Sequence, residues 1–157
     1  MGFLFGWYNY LIMKNSIFIA IIFMLIVGAF FVVYSALMCH SQVILGGEIF
    51  IVDTARTEYT QKKGLSNKNS LPEDGGMLFI FPSENRHGIW MKDMNFPIDI
   101  LWIDSNMKIV HIEKSVSPNT YPKIFSPTTP SLHVLEISAG KSDLLNLKTG
   151  DSVIFFK

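Results

Sequence analysis

Cysteine is almost absent: the 157 residues hold one, Cys39. A single thiol cannot close an intramolecular disulfide, and it excludes a cysteine-based metal cluster. Charge is scarce as well, at 17% of residues against 49% hydrophobic ones. It is also unevenly placed. Lys14 is the only charged side chain before His40; all thirteen acidic residues and twelve of the thirteen basic ones follow it. That later part is therefore close to neutral and lacks the basic footprint of a nucleic-acid-binding domain. The chain has no G-x-S-x-G elbow, no P-loop and no dinucleotide fingerprint. Its four histidines (His40, His87, His111, His133) show no i, i+2 or i, i+4 spacing, and no His-Glu pair sits on a helical pattern. A zinc site of the usual sequence types is thus not indicated, although His111 and His133 have Glu113 and Glu136 near them in sequence. No cofactor is implied.

What is present first is a long apolar run. From Ser16 to Cys39 there is no charge in 24 residues. A helix of that length rises about 36 Å, enough to cross a hydrocarbon core of about 30 Å. A cleavable signal would have a shorter apolar region and small residues before the cut. Here Leu37, Met38 and His40 surround the candidate cleavage residues, and Met38 is too large to precede a lipidated Cys39. The expected arrangement is a cytoplasmic segment 1–15, a transmembrane helix 16–39, a tether 40–47 and a globular domain 48–157. Lys14 before the span and Glu48 and Asp53 after it place the amino terminus in the cytoplasm by the positive-inside bias, and Trp7, Tyr8 and Tyr10 suit an interfacial belt. The expected location is the cell membrane, single-pass, with the domain outside the cytoplasm and the membrane itself as one partner.

From Gly46-Gly47 onward the pattern is β. E-I-F-I-V-D-T-A reads as a strand, and Thr57 to Gly64 reads as a short capped helix. M-L-F-I-F and H-G-I-W-M-K-D read as a hairpin around S-E-N-R. I-D-I-L-W-I-D and K-I-V-H-I-E-K-S-V follow, joined by a tight turn at Asp104-Ser105-Asn106. Ser117–Pro130, with four prolines, reads as a long ordered loop because proline supplies no ladder donor. S-L-H-V-L-E-I-S, one helical turn after Gly140 and S-V-I-F-F complete the chain. Regular short strands with turn signals predict an all-β sandwich or barrel, antiparallel, with one or two short helices and preceded by the transmembrane helix.

These motifs, taken together and in order, carry a family resemblance. G-M-L-F-I-F (76–81), W-M-K (90–92), P-I-D-I-L-W-I-D (97–104), I-V-H-I (109–112), the prolines of 118–130, V-L-E-I-S-A-G (134–140) and L-K-T-G-D-S-V (147–153) resemble the DUF192 family over residues 49–155. The resemblance implies a compact β-sandwich or barrel, often with an export signal or anchor, and no established activity. Family members usually read F-W-M-K-N-T; here Ile89 precedes Trp90 and Asp93-Met94 replace Asn-Thr.

Four residues are the expected ligand contacts: Lys92, Asp99, Glu136 and Trp90. Lys92 and Glu136 lie in apolar contexts and would satisfy each other as an ion pair, in a ligand site or as a structural bridge. Asp99 follows F-P-I, where a carboxylate can accept backbone N–H bonds. Trp90, like Phe96, is either a stacking platform or core, whereas Phe79 and Trp102 read as core. The class these features favour is a binding or accessory module for an unknown ligand or envelope partner. One rival is a hydrolase using Asp99 and Glu136 as a carboxylate pair on a sugar or peptide, and another is a docking domain for a second membrane protein.

Overall fold

The computed structural model describes residues 17–34 and 41–156. The predicted cytoplasmic segment, Cys39 and the rest of 35–40 lie outside the described residues. Two compact units are present, 1–39 and 40–157. The first contains helix α1, Ile17–Tyr34, which is apolar and exposed on all sides within its unit. At 18 residues it rises about 27 Å.

The second unit is built on one seven-stranded sheet. In chain order its elements are β1 (Ser41–Leu45), β2 (Glu48–Ala55), α2 (Glu58–Lys63), β3 (Gly75–Asn85), β4 (Ile89–Trp90), β5 (Ile98–Ile103), β6 (Ile109–Val116), β7 (Ile124–Phe125), β8 (Ser131–Ser138), α3 (Lys141–Leu144) and β9 (Val153–Phe156). The sheet order is β6-β5-β8-β3-β2-β1-β9, and β4 pairs only with β7. The mostly β class and the short helices expected from the sequence are both found. So are the capped helix, with Thr57 accepting from the Thr60 amide, and the 104–106 turn, where Asp104 accepts from the amides of Asn106 and Lys108.

Three expectations on local structure are corrected. The folded unit begins at Ser41 rather than after a tether: Val43 and Leu45 alternate inward and are fully buried. Gly46-Gly47 is then the two-residue turn of the β1–β2 hairpin, with φ of 59° and 86°. A two-residue hairpin with both φ positive favours glycine at both positions. Second, β3 does not form a hairpin with 87–93. It runs parallel to β2 and antiparallel to β8. Third, the proline-rich segment contains β7, which pairs with β4 (Ile89↔Phe125, Trp90↔Ile124). Four residues fall between prolines 122 and 127, and the middle two, Ile124 and Phe125, keep backbone donors for a short ribbon.

The sheet curls until its edges meet at one end. Ile109 N–H donates to Asp151 O, Gly150 N–H to Ile109 O and Val153 N–H to Met107 O, at 2.8–3.0 Å. Inside the curl lies one core, with Phe50, Leu78, Leu101, Leu135 and Ile137 among its members. A second core lies on the outer face over β3, β8 and β5. There Phe79, Ile98, Ile100, Trp102 and Val134 are covered by Leu65, Ile89, Met91 and Phe125 from the connections. This explains the unbroken apolar run of β5. Strands covered on both faces do not alternate. Among the described residues the outer face of β2, β1 and β9 lacks such a cover, and Ile49, Ile51, Ile154 and Phe156 are exposed there.

Candidate functional site

The second core leaves a cavity. Along β8, Leu135 and Ile137 enter the inner core while Val134 enters the outer one, so alternation sends Glu136 to the outer face. Its neighbours across the sheet are Met77 on β3 and Ile100 on β5. A cavity of about 320 Å³ lies over this point, between α2 with the following Gly64–Ser66 and the β4–β7 ribbon. Its buried lining is Leu65, Phe79, Ile89 and Glu136, and its exposed lining includes Trp90 (43% exposed) and Ile124 (58%). The buried residues form the floor and the exposed ones the mouth. Phe81 completes a wall and stacks on His87 at 3.5 Å between ring centres. The indole N–H of the buried Trp102 donates to the His87 carbonyl at 2.7 Å and so fixes the start of the ribbon. Gly88 is needed there: a Cβ would come within 2.6 Å of the Ile124 side chain.

Glu136 is the one buried ionisable group in this lining. It is 4% exposed, and its Oε2 has no hydrogen-bond partner. Among the described residues no Lys, Arg or His forms an ion pair with it. Burial alone pushes its pKa from 4.5 up to about 8. At neutral pH the side chain is therefore a carboxylic acid, with an O–H to donate. The charged groups that line the cavity all lie on α2. Glu58 and Lys62 neutralise each other at 2.7 Å, and Lys63 is exposed.

Of the four expected contacts, the structure brings Trp90 and Glu136 to the cavity and leaves the other two elsewhere. Lys92 is exposed and does not pair with Glu136. The ribbon ends at Trp90, and the chain turns at Asp93 (φ 56°), where the Lys92 and Asp93 carbonyls accept from Ser66 Oγ and the Asn67 amide at 2.8 Å. Asp99 is fully buried and structural. β6 carries one extra residue opposite it, with Ser115 at φ 51°. Asp99 Oδ1 accepts from the Ser115 amide at 2.7 Å and from Gly140 at 3.1 Å, and Oδ2 from Ser142 at 2.8 Å. The carboxylate thus holds a β-bulge on one side and the start of α3 on the other. It also cannot act with Glu136. Asp99 stands opposite Ile137, whereas Glu136 stands opposite Ile100, so the two carboxyls leave opposite faces of the sheet. The carboxylate-pair reading is overturned by this register.

The histidines are separated too. His111 bonds Glu113 at 3.2 Å and packs beside Trp102, while His133 packs edge-on against Phe155 at 5.2 Å. Among the described residues no group of three His, Cys, Asp or Glu could hold a metal ion. Sequence reasoning missed Leu65, Met94 and Ile124 as cavity lining, because three separate connections bring them together beside Phe81 of β3. It also missed Lys141, a mostly buried cation held by Glu73 at 3.3 Å and Glu48 at 3.6 Å.

Fold and site define a class: a curled β-domain, preceded by an apolar helix, with a lateral apolar cavity and a buried acid in its floor. The chain belongs to the DUF192 family, described as an uncharacterised ACR, whose model matches residues 42–155. No curated protein matches it. Two crystal structures are similar. A protein of unknown function from Novosphingobium aromaticivorans DSM 12444 is 28% identical with a TM-score of 0.68, over 73% of this chain and 83% of that one. A protein described as a candidate transcription regulator from Sinorhizobium meliloti 1021 is 27% identical with a TM-score of 0.68, over 74% and 92%.

Proposed function

We propose that the protein is a membrane-anchored binding module, with the β-domain outside the cytoplasm and the ligand seated in the cavity over Glu136. The observation that carries this reading is the unpartnered Glu136 carboxyl beneath an apolar cavity. Burying a polar group without a partner costs about 1–3 kcal/mol or more, whereas an apolar residue at the same place would simply pack. A cavity of about 320 Å³ lies at the lower end of the range for small-molecule sites. A few polar groups in an apolar wall are the usual means of orienting such a ligand. Loss of the Asp99–Glu136 pair removes the basis of the hydrolase alternative. The apolar helix of 18 residues supports the anchor, and if it is retained the membrane-extracted chain should show an intact mass of 17.8 kDa.

The binding reading is tested with a panel of small apolar fragments, detected by ligand-observed NMR on the full chain in detergent micelles. Met94→Trp, which fills the cavity from its wall, should abolish binding while leaving the thermal midpoint unchanged or raised. Fragments that bind the filled variant as well as the wild type would refute a ligand site here.

A further inference from the structure

The floor of the cavity restricts the chemistry of what can enter. The volume of about 320 Å³ holds about ten water-sized groups, so the buried part of a ligand is the size of a substituted benzene or a short acyl chain. Its contacts are Phe79, Phe81, Leu65 and Ile89, which offer no polar atom from their side chains. Glu136 is the one buried polar side chain in the lining, since Gln61 and Ser66 are half-buried and donate to the carbonyls of Ile80 and Lys92. The groups that face Glu136 across the sheet, Met77 and Ile100, carry no charge, and the lining charges (Glu58, Lys62, Lys63) are exposed on α2. An anionic group at the floor would be desolvated without a counter-charge, and a cationic one would require the acid to ionise in the same apolar surroundings.

We infer that the ligand is an uncharged, mostly apolar carbonyl compound (a ketone, ester or amide) whose oxygen accepts the Glu136 O–H at the cavity floor. This rests on the cavity being the binding site, and it adds the ligand class. The match is reciprocal. A neutral carboxyl needs one acceptor for its proton, and a carbonyl is an acceptor without charge. Each satisfies the other where water is excluded, so the bond discriminates against analogues that lack the oxygen. Discrimination is expected to disappear once Glu136 loses its proton.

Three probes matched in heavy-atom count separate the outcomes: acetophenone, cumene and benzoate. Each is titrated into the ¹⁵N-labelled full chain in micelles at pH 7, following the amides of Gly88, Trp90 and Ile124, with free ligand fixed by partition against protein-free micelles. The acetophenone–cumene affinity ratio should be about tenfold higher in the wild type than in Glu136→Met, the factor one net hydrogen bond supplies, and benzoate should bind most weakly. In Glu136→Met the acetophenone carbonyl would be buried without a donor, so the acetophenone–cumene ratio should fall below one while cumene still binds. In Glu136→Gln, which keeps an N–H donor, most of the preference should return. In the wild type the preference should be lost as the pH passes about 8. An acetophenone–cumene ratio that is the same in the wild type and in Glu136→Met would overturn the ligand class and leave the cavity reading standing. Benzoate binding most tightly would overturn it in favour of an acidic ligand. If none of the three moves those amides, the cavity reading fails and the inference with it.

Discussion

Replacing Glu136 by Gln should change how stability depends on pH rather than merely shift it. The carboxyl titrates near 4.5 when exposed and is raised to about 8 by burial. Below pH 4.5 it is protonated in both states and contributes nothing. Between 4.5 and about 8 the unfolded chain has given up the proton while the folded one retains it. Stability present at low pH is therefore lost as pH rises, by about 1.4 kcal/mol per pH unit. The accumulated loss is about 3 kcal/mol at pH 7 and about 5 kcal/mol at pH 8, beyond which it is constant. Gln has nearly the same shape and does not titrate, so the variant escapes this loss. The assay is urea unfolding of the full chain in detergent from pH 4 to 9, followed by tryptophan fluorescence with the fully buried Trp102 as reporter. The stability of Glu136→Gln relative to wild type should climb through pH 4.5–8 and then level off. Contributions from other titrating groups appear in both proteins and cancel in the difference. A difference constant across the range would mean that only shape had changed. A difference of the opposite slope would mean that Glu136 is ionised and paired, and either result refutes the argument.

Two further variants probe the supports around the site. Asp99→Ala strands three amides, those of Ser115, Gly140 and Ser142. Urea unfolding should show a loss of at least about 3 kcal/mol, with faster hydrogen exchange at these three amides, if the carboxylate holds the bulge and α3 together. His133 has its pKa lowered, first by burial and then by Arg56. The unfolded chain therefore takes up a proton near pH 6.5 that the folded one refuses, and stability present above that pH is lost as pH falls. His133→Phe should gain stability relative to wild type on acidification below about pH 6.5; a gain that is the same at pH 5 and pH 8 would contradict this.

Much of the fold was legible because the local signals are strong. Thr57 and Gly64 bracket α2, Asp104 closes its turn, and the strand lengths of β2, β5, β6 and β8 follow the apolar runs. What misled was the ribbon. I-W-M-K reads as a core strand by composition, yet β3 already has β2 and β8 on its two edges. A strand accepts two neighbours, so residues 89–90 pair elsewhere, with Ile124 and Phe125 of the proline segment. The same pairing created the cavity and turned Lys92 outward. Sequence pattern records which residues prefer extended structure; it does not record which edges are already taken.

The site shows the same limit at the level of single residues. Asp99 and Glu136 look alike in sequence, each a lone carboxyl among Ile, Leu and Val. Their fates differ because β5 and β8 are in register with Asp99 opposite Ile137 and Ile100 opposite Glu136. One carboxyl meets three backbone amides and becomes part of the framework; the other meets apolar side chains and an unfilled space. A slip of one residue between these strands would put both on one face and restore the carboxylate pair. Burial on both faces of the sheet forbids that slip, since it would turn one of the two strands over, taking either Leu101 and Ile103 or Leu135 and Ile137 out of the inner core and driving Trp102 or Val134 into it. The packing that stabilises the domain is therefore also what separates these two buried acids and leaves Glu136 facing the cavity.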